Sequence, residues 1–378
     1  MTDILVLGAG YTGIATALRV ANKSRAHVTL VNASPRFTER LRLHQTAAGE
    51  RLADHAVADV VAGTGIDFVQ GRVTGLDLDA RRVTLDRGRE LRYDKLVYAL
   101  GTVADVSVPG VAEHAYVYND YQEAVRLAAH LRELGGGTVV VSGGGLTGVE
   151  SATEIAEAHP ELHVVLLSRG RPAPMLGRAA HAYLTRAMHR LGIEVRQGSV
   201  TKVLPGGVEL EGGEVVAAEA TLWTAGTRGL RLAADSGLTV DRQGRIVVDA
   251  TLASVSHPDV YAVGDAAAVS QPYGVMHGTC QGGIPTGLHA GDSIVAVLRG
   301  RRPKPFRFGY VHQPLSIGRA DGVIQFTRPD DSPRGAWLRG RWAVRYKEAV
   351  SSSPMPTYRL LKRGLVPVWV FRLTALGS

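Results

Sequence analysis

Cysteine is almost absent: Cys280 is the only one in 378 residues. An internal disulfide, a redox-active dithiol and a cysteine-built zinc site are therefore excluded. No apolar run approaches the roughly 20 residues of a membrane-spanning helix. There is no low-complexity tract. Nor does a basic segment with a small-residue cleavage site precede the first apolar run, "ILVL" at Ile4 to Leu7. The chain reads as a cytoplasmic protein. Basic residues outnumber acidic ones, 43 to 35, for a net charge of +8. No basic run interleaved with aromatics accompanies that excess, and no zinc-finger or RNA-binding signature is present, so nucleic acid is not expected as a partner. An anionic surface or a phosphorylated cofactor would suit the charge equally. The length fits about two or three domains.

What is present, twice, is a glycine turn between a buried strand and a helix. The first is "ILVLGAGYTGIATA", with Gly8, Gly10 and Gly13 in G-x-G-x-x-G spacing. The first glycine permits a tight turn. The second lets a pyrophosphate approach the backbone. The third allows close packing of helix on strand. The helix, from about Thr12, offers its positive end to the phosphates. The next strand, "HVTLVN", ends at Asn32 where an acid would ordinarily hold a ribose hydroxyl. An amide can make the same hydrogen bond.

The second turn, "VVVSGGGLTGVESATE", repeats the spacing at Gly143, Gly145 and Gly148. Its second strand, "LHVVLLS", ends at Ser168-Arg169, with Arg171 beyond. An acid here would repel the extra phosphate of NADP, whereas a hydroxyl and guanidinium groups would bind it. That pattern favours NADPH over NADH. The other reading is that Arg169 and Arg171 are solvated loop charges. Two turns imply two dinucleotides, one an exchangeable nicotinamide and the other a resident flavin, FAD.

With "YDKLVYALGT" (Tyr93 to Thr102), "TLWTAGT" (Thr221 to Thr227) and "HPDVYAVGDAA" (His257 to Ala267), the chain resembles the FAD-dependent pyridine nucleotide–disulfide oxidoreductase superfamily. Within it the look is that of type II NADH dehydrogenases and apoptosis-inducing-factor-like reductases. The resemblance covers residues 1 to about 300. It implies an α/β fold with two Rossmann-like domains and a C-terminal region. Residues 1–110 and 236–305 would form a split FAD domain, 111–235 the NAD(P)H domain and 306–378 a C-terminal interface region. Ala99 and Gly101 would leave room for the adenylate part of FAD. Gly264-Asp265 would end a strand and open a helix, with Asp265 accepting hydrogen bonds from the ribityl chain. The implied activity is hydride transfer from NAD(P)H to flavin and electron delivery to a quinone or another small acceptor. A tailoring oxidase or reductase of a specialised metabolite, and a non-catalytic redox sensor, are the alternatives.

The route by which electrons leave is where such proteins differ. Here the segment "RFTERLRLHQTAAGE" (Arg36 to Glu50) holds no cysteine, so a thiol relay is excluded. His44 falls near that place; it either donates a proton to a reduced acceptor or is a structural histidine. Glu150 either orders the nicotinamide and moves protons or complements the helix dipole. In "HGTCQGGIPTG", Gln281 would lie near the acceptor, while Pro285 and Thr286 replace expected glutamines. The tail "YRLLKRGLVPVWVFRL" (Tyr358 to Leu373) mixes basic and aromatic residues, as a membrane surface would favour. Pro367 interrupts any helix there. Packing against the FAD domain or a dimer partner is the other reading.

Overall fold

The computed structural model describes residues 1–366, except the side chain of Cys280. Two parallel sheets organise it. In the first, strands Val260–Ala262, Lys95–Tyr98, Asp3–Leu7, His27–Asn32 and Ile66–Gln70 lie side by side in that order. Except in the edge strand Ile66–Gln70, their apolar residues are buried, which is why they read as near-continuous hydrophobic stretches. Helix α1 (Tyr11–Lys23) connects the first two strands. The short helix α2 (Leu43–Ala47) follows further along.

The second sheet is inserted between strands of the first. Its order is Glu194–Gln197, Leu162–Ser168, Gly137–Ser142 and Ala220–Trp223, all parallel. Helix α3 (Tyr121–Leu134) leads into it and ends on Gly135, whose φ of 59° needs no Cβ. Helix α4 (Leu146–Ala158) follows its first strand. In both sheets the chain steps from the opening strand to one side and later returns on the other. That leaves a crevice at the carboxyl end of the opening strand, the usual place for a ligand in open α/β sheets.

One local expectation fails. Gly264-Asp265 opens no helix; a single 3-10 turn (Gly264–Ala266) gives way to the strand Ala267–Ala268. The long helix α5 (Cys280–Leu298) starts later, with Thr279 capping it through a hydrogen bond from the Gly282 amide (3.3 Å). Small residues let α5 press on α1. A Cβ at Gly287 would lie 2.5 Å from the Thr12 carbonyl oxygen, and one at Gly291 2.9 Å from the Arg19 Cβ. Arg19 and Asp292 join the two helices by a bidentate pair at 2.8 and 2.9 Å.

The C-terminal region is a three-stranded antiparallel sheet, His312–Ile317, Asp321–Thr327 and Pro333–Arg339, followed by helices α6 (Gly340–Ser352) and α7 (Pro354–Lys362). It touches both halves. The Tyr358 hydroxyl donates to the Tyr11 carbonyl (2.8 Å). Leu315, Ile317 and Val323 join the core of the second sheet, as do Leu43 and Ala47 of α2. Among the described residues no helix is long and apolar enough to cross a membrane. Of the tail, Pro367, Trp369, Phe371 and Arg372 lie outside the described residues.

Candidate active site

The two glycine turns have nearly the same geometry. Gly8 and Gly143 adopt φ of 100° and 128°. A Cβ at Gly13 would come within 1.8 Å of the Gly8 carbonyl oxygen, and one at Gly148 within 1.8 Å of the Gly143 oxygen. Gly10 and Gly145 are the N-caps of α1 and α4. Neither helix has a side-chain cap or an acid in its first turn, and a Cβ at either N-cap would meet nothing within 4 Å. Each turn thus presents free amides and a positive helix end to open space, the arrangement an anionic pyrophosphate fits.

The strand that follows each turn ends differently. Asn32 uses both ends of its amide: Oδ1 accepts from the Ala9 amide (2.9 Å) and Nδ2 donates to the Ser34 carbonyl (2.9 Å). The side chain therefore braces the turn itself. Ser168 is buried, and its hydroxyl oxygen would lie 2.0 Å from a Cβ at Gly144. Arg169 is exposed beyond it. Arg171 donates to the Pro174 and Leu176 carbonyls (2.9 and 3.1 Å), so it clamps its own loop instead of reaching toward a phosphate.

Around the first turn the crevice is lined by polar groups. Ala99 packs behind Gly8 and Gly13, and Gly101 has φ of 67°. Thr12 sits under the Gly264 turn, its hydroxyl 2.6 Å from where a Cβ on Gly264 would be. Thr286 binds this turn as well, its hydroxyl accepting from the Gly264 amide (3.0 Å). Asp265 lines a cavity with Arg245, His277 and Thr279 at the start of α5. Burial raises its pKa, and the neighbouring Arg40, Arg245 and His277 pull the other way. Such a carboxylate can accept hydrogen bonds from a polyol chain. Together the open turn, the crevice and the acid fit a bound dinucleotide with a polyhydroxyl link.

Gln281 has both ends of its amide engaged. Its Nε2 donates to the His312 carbonyl, and its Oε1 accepts from the Val311 amide (3.1 Å). Both amide ends hold the C-terminal strand against α5.

Glu150 is buried on α4, just past its first turn. Its Oε1 accepts from the Ser316 amide (3.0 Å) and is paired with the Lys347 ammonium of α6. Lys347 also donates to the Ser316 hydroxyl (3.1 Å). Burial lowers the Lys347 pKa, with Arg42 adding repulsion, while the Glu150 carboxylate opposes this by Coulomb attraction. His44 of α2 is 3% exposed and brings Nδ1 to 4.0 Å from Glu150. Burial, then Lys347, Arg319 and Arg42, hold its pKa well below the ordinary imidazole value. Three separated stretches therefore meet at one buried point. Sequence reading singled out two of them, His44 and Glu150, as separate candidates and missed Lys347. Its signal was available: in "GRWAVRYKEAVSS" a lysine falls four residues after the buried Ala343, on the inward side of an amphipathic helix.

The sequence profile of the pyridine nucleotide-disulphide oxidoreductases matches residues 2–291. The chain belongs to this family. It is 34% identical over 357 residues to an NADH dehydrogenase-like protein of Mycobacterium tuberculosis, covering 85% of this chain and 87% of that one. A type II NADH:quinone oxidoreductase of Staphylococcus epidermidis is 27% identical over 381 residues, covering 89% and 92%. Among solved structures, the sulfide:quinone oxidoreductase of Aquifex aeolicus superposes with a TM-score of 0.83 at 20% identity, over 100% of this chain and 95% of that one. NDH2 of Plasmodium falciparum in complex with NADH gives 0.80 at 15% identity, over 97% and 99%. At those identities the likeness establishes the fold alone. As a member of this family the chain is an oxidoreductase, and its cofactors are FAD with NADH or NADPH.

Proposed function

We propose that the protein oxidises NAD(P)H and delivers the electrons to a quinone or a similar small acceptor. The observation that carries this reading is the buried Glu150–Lys347 pair. Its carboxylate lies just past the first turn of the helix that follows the second glycine turn, against the segment where a thiol relay would otherwise sit. In place of a cysteine the chain offers a carboxylate, an ammonium and an imidazole, groups that move protons. A quinone needs protons as well as electrons. Type II NADH:quinone oxidoreductases are among the relatives.

In this reading residues 1–110 and 236–305 hold FAD, with Gly8, Gly10, Thr12 and Gly13 at the pyrophosphate, Ala99 and Gly101 against the adenylate, and Asp265 on the ribityl chain. Asn32 positions the turn and meets a ribose only through a second lone pair on Oδ1. Residues 111–235 bind the nicotinamide through Gly143, Gly145 and Gly148, with Ser168 and Arg169 at the adenosine ribose. The exposed Arg169 supports a preference for NADPH. FAD supplies hydride acceptance and electron delivery; the protein binds, orients and shields. Glu150 and Lys347 hold the proton for the acceptor and keep water from the rest of the site.

The test is an anaerobic stopped-flow experiment with NADPH and NADH, followed by mixing with ubiquinone-1. Fast bleaching of the flavin band by a nicotinamide, and its return on adding the quinone, are the expected results. A flavin that neither nicotinamide bleaches would overturn the reading. Helix α6 exposes Trp342 (62%) beside Arg345, and the segment after α7 exposes Leu365 (60%) near Arg363, which supports contact with an anionic membrane surface. Co-sedimentation with phosphatidylglycerol vesicles, lost in Trp342→Ala, checks it.

A further inference from the structure

The Glu150–Lys347 pair has a second neighbour that the proposed reaction leaves unexplained. His44 bridges two carboxylates. Nδ1 faces Glu150 at 4.0 Å and Nε2 faces Glu154 at 3.9 Å, one helical turn further along α4. Both distances are just too long for a hydrogen bond. Glu154 is only 2% exposed. The His44 Nε2, Glu154 Oε1, Gln45 Oε1 and Thr46 Oγ1 atoms are buried without a hydrogen-bond partner among the described residues. Buried polar atoms are nearly always satisfied, and ordered water is the usual partner where several of them converge.

Beyond Glu154 the polar chain continues outward. Arg319 lies 3.7 Å from Glu154, 2.8 Å from Glu50 and 3.7 Å from Glu348. Glu50, Arg319 and Glu348 each reach solvent. A continuous line of ionisable groups thus runs from the surface to the Glu150–Lys347 pair. Every element packed here contributes: Glu39 and Arg42 before α2, Glu50 after it, Tyr118 ahead of α3, Glu150 and Glu154 on α4, Arg319 in the strand turn, Lys347 and Glu348 on α6.

We propose that His44 and Glu154, with water held among Gln45 and Thr46, relay a proton from the rim at Arg319, Glu50 and Glu348 to the Glu150–Lys347 pair. The inference rests on the reading that a quinone-like acceptor is reduced. The balance requires such a path. NAD(P)H plus one proton plus quinone gives NAD(P)+ and quinol; the hydride carries two electrons and one proton, so the second proton comes from solvent. It leaves the Glu150–Lys347 pair for an acceptor oxygen. His44 restores it from Nδ1–H and takes another at Nε2 from Glu154, so the ring stays neutral and changes tautomer. Water at the rim then reprotonates Glu154. Burial, its largest influence, raises the Glu154 pKa to about 7, which suits a group that must both hold and release a proton near neutrality.

The test uses the FAD-loaded protein reduced with dithionite, so that it does not depend on the nicotinamide. Reoxidation is followed with ubiquinone-1, which takes up protons, and with ferricyanide, which takes only electrons. In His44→Asn and Glu154→Gln the quinone rate should fall about tenfold or more, with a larger solvent deuterium effect, while the ferricyanide rate is unchanged. Equal slowing with both oxidants would mean a structural role and would overturn the relay. So would an unchanged quinone rate. Infrared titration of the resting wild-type protein gives a readout apart from turnover and from the folding of either variant. A protonated-carboxyl band titrating near neutrality is expected, and where Glu154→Gln folds it should lose that band; a wild type without the band overturns the relay. A wild-type protein that nicotinamide fails to reduce but quinone reoxidises would sink the nicotinamide part of the functional reading alone. One that quinone does not reoxidise removes both.

Discussion

The two glycine turns share one backbone and differ in everything placed around it. Their third glycines press equally close on the first, at 1.8 Å in each case for an added Cβ. Yet the first turn is walled in by the Gly264 turn, α5 and Asp265, and its strand-end residue, Asn32, is spent on bracing the loop. The second leaves Arg169 exposed at its strand end and turns Glu150 inward to meet Lys347. An enclosed cradle suits a cofactor that stays; an open one suits a cofactor that comes and goes. The spacing of glycines says only that a phosphate can be held. The neighbours decide for how long, and what chemistry lies next to it.

The sharpest way to break this contrast is to fill both turns. Gly13→Ala and Gly148→Ala each force a Cβ against a carbonyl oxygen, at a cost of about 1–3 kcal/mol. The first should yield a colourless protein. The second should keep its flavin band and lose fast reduction by nicotinamide. Equal flavin loss in both would erase the distinction.

The inward side of the second turn is tested by Lys347→Met. It leaves the buried Glu150 carboxylate uncompensated and should cost about 3 kcal/mol in chemical denaturation. Adding Glu150→Gln should recover most of that loss; a double variant no better than the single would show that the pair is not what holds α6 in place.

Glu154, on the same helix, gives a pH signature. Its folded-state pKa is raised from 4.5 to about 7. Between those values the folded protein keeps a proton that the unfolded chain has released. Its contribution is therefore full below about pH 4.5 and is lost as pH rises through 7. The amplitude is on the order of 1–3 kcal/mol. Glu154→Gln should flatten that fall in a pH series of denaturation midpoints.

At the open strand end, Arg169→Glu should shift the ratio of kcat/KM values toward NADH by about tenfold, the worth of one charge-assisted hydrogen bond. An unchanged ratio would reduce Arg169 to a solvated loop charge. The smallest effect is expected from Asn32→Asp. The variant cannot donate to the Ser34 carbonyl and should lose about 1 kcal/mol, read as a lower melting temperature of the flavin-bound protein.

Much of this was legible along the chain. Buried strands followed by G-x-G-x-x-G turns announce parallel α/β units, because their apolar runs and turn glycines are consecutive residues. The lone cysteine ruled out a thiol relay without any coordinates. What could not be read was everything that depends on contact across hundreds of positions. The partners of the Gln281 amide, the backbone at Val311 and His312, carry no signal in the sequence. Gly264-Asp265 was expected to open a helix, but the chain turns back into a strand beside Thr12 and Thr286. Lys347 carries no motif at all; it matters because α6 delivers it to a carboxylate 197 positions earlier in the chain. Local spacing determines which backbone can form and which small ligands it could cradle. Only the folded chain decides which charges are buried together, because desolvation and pairing depend on distance through space and not on distance along the sequence.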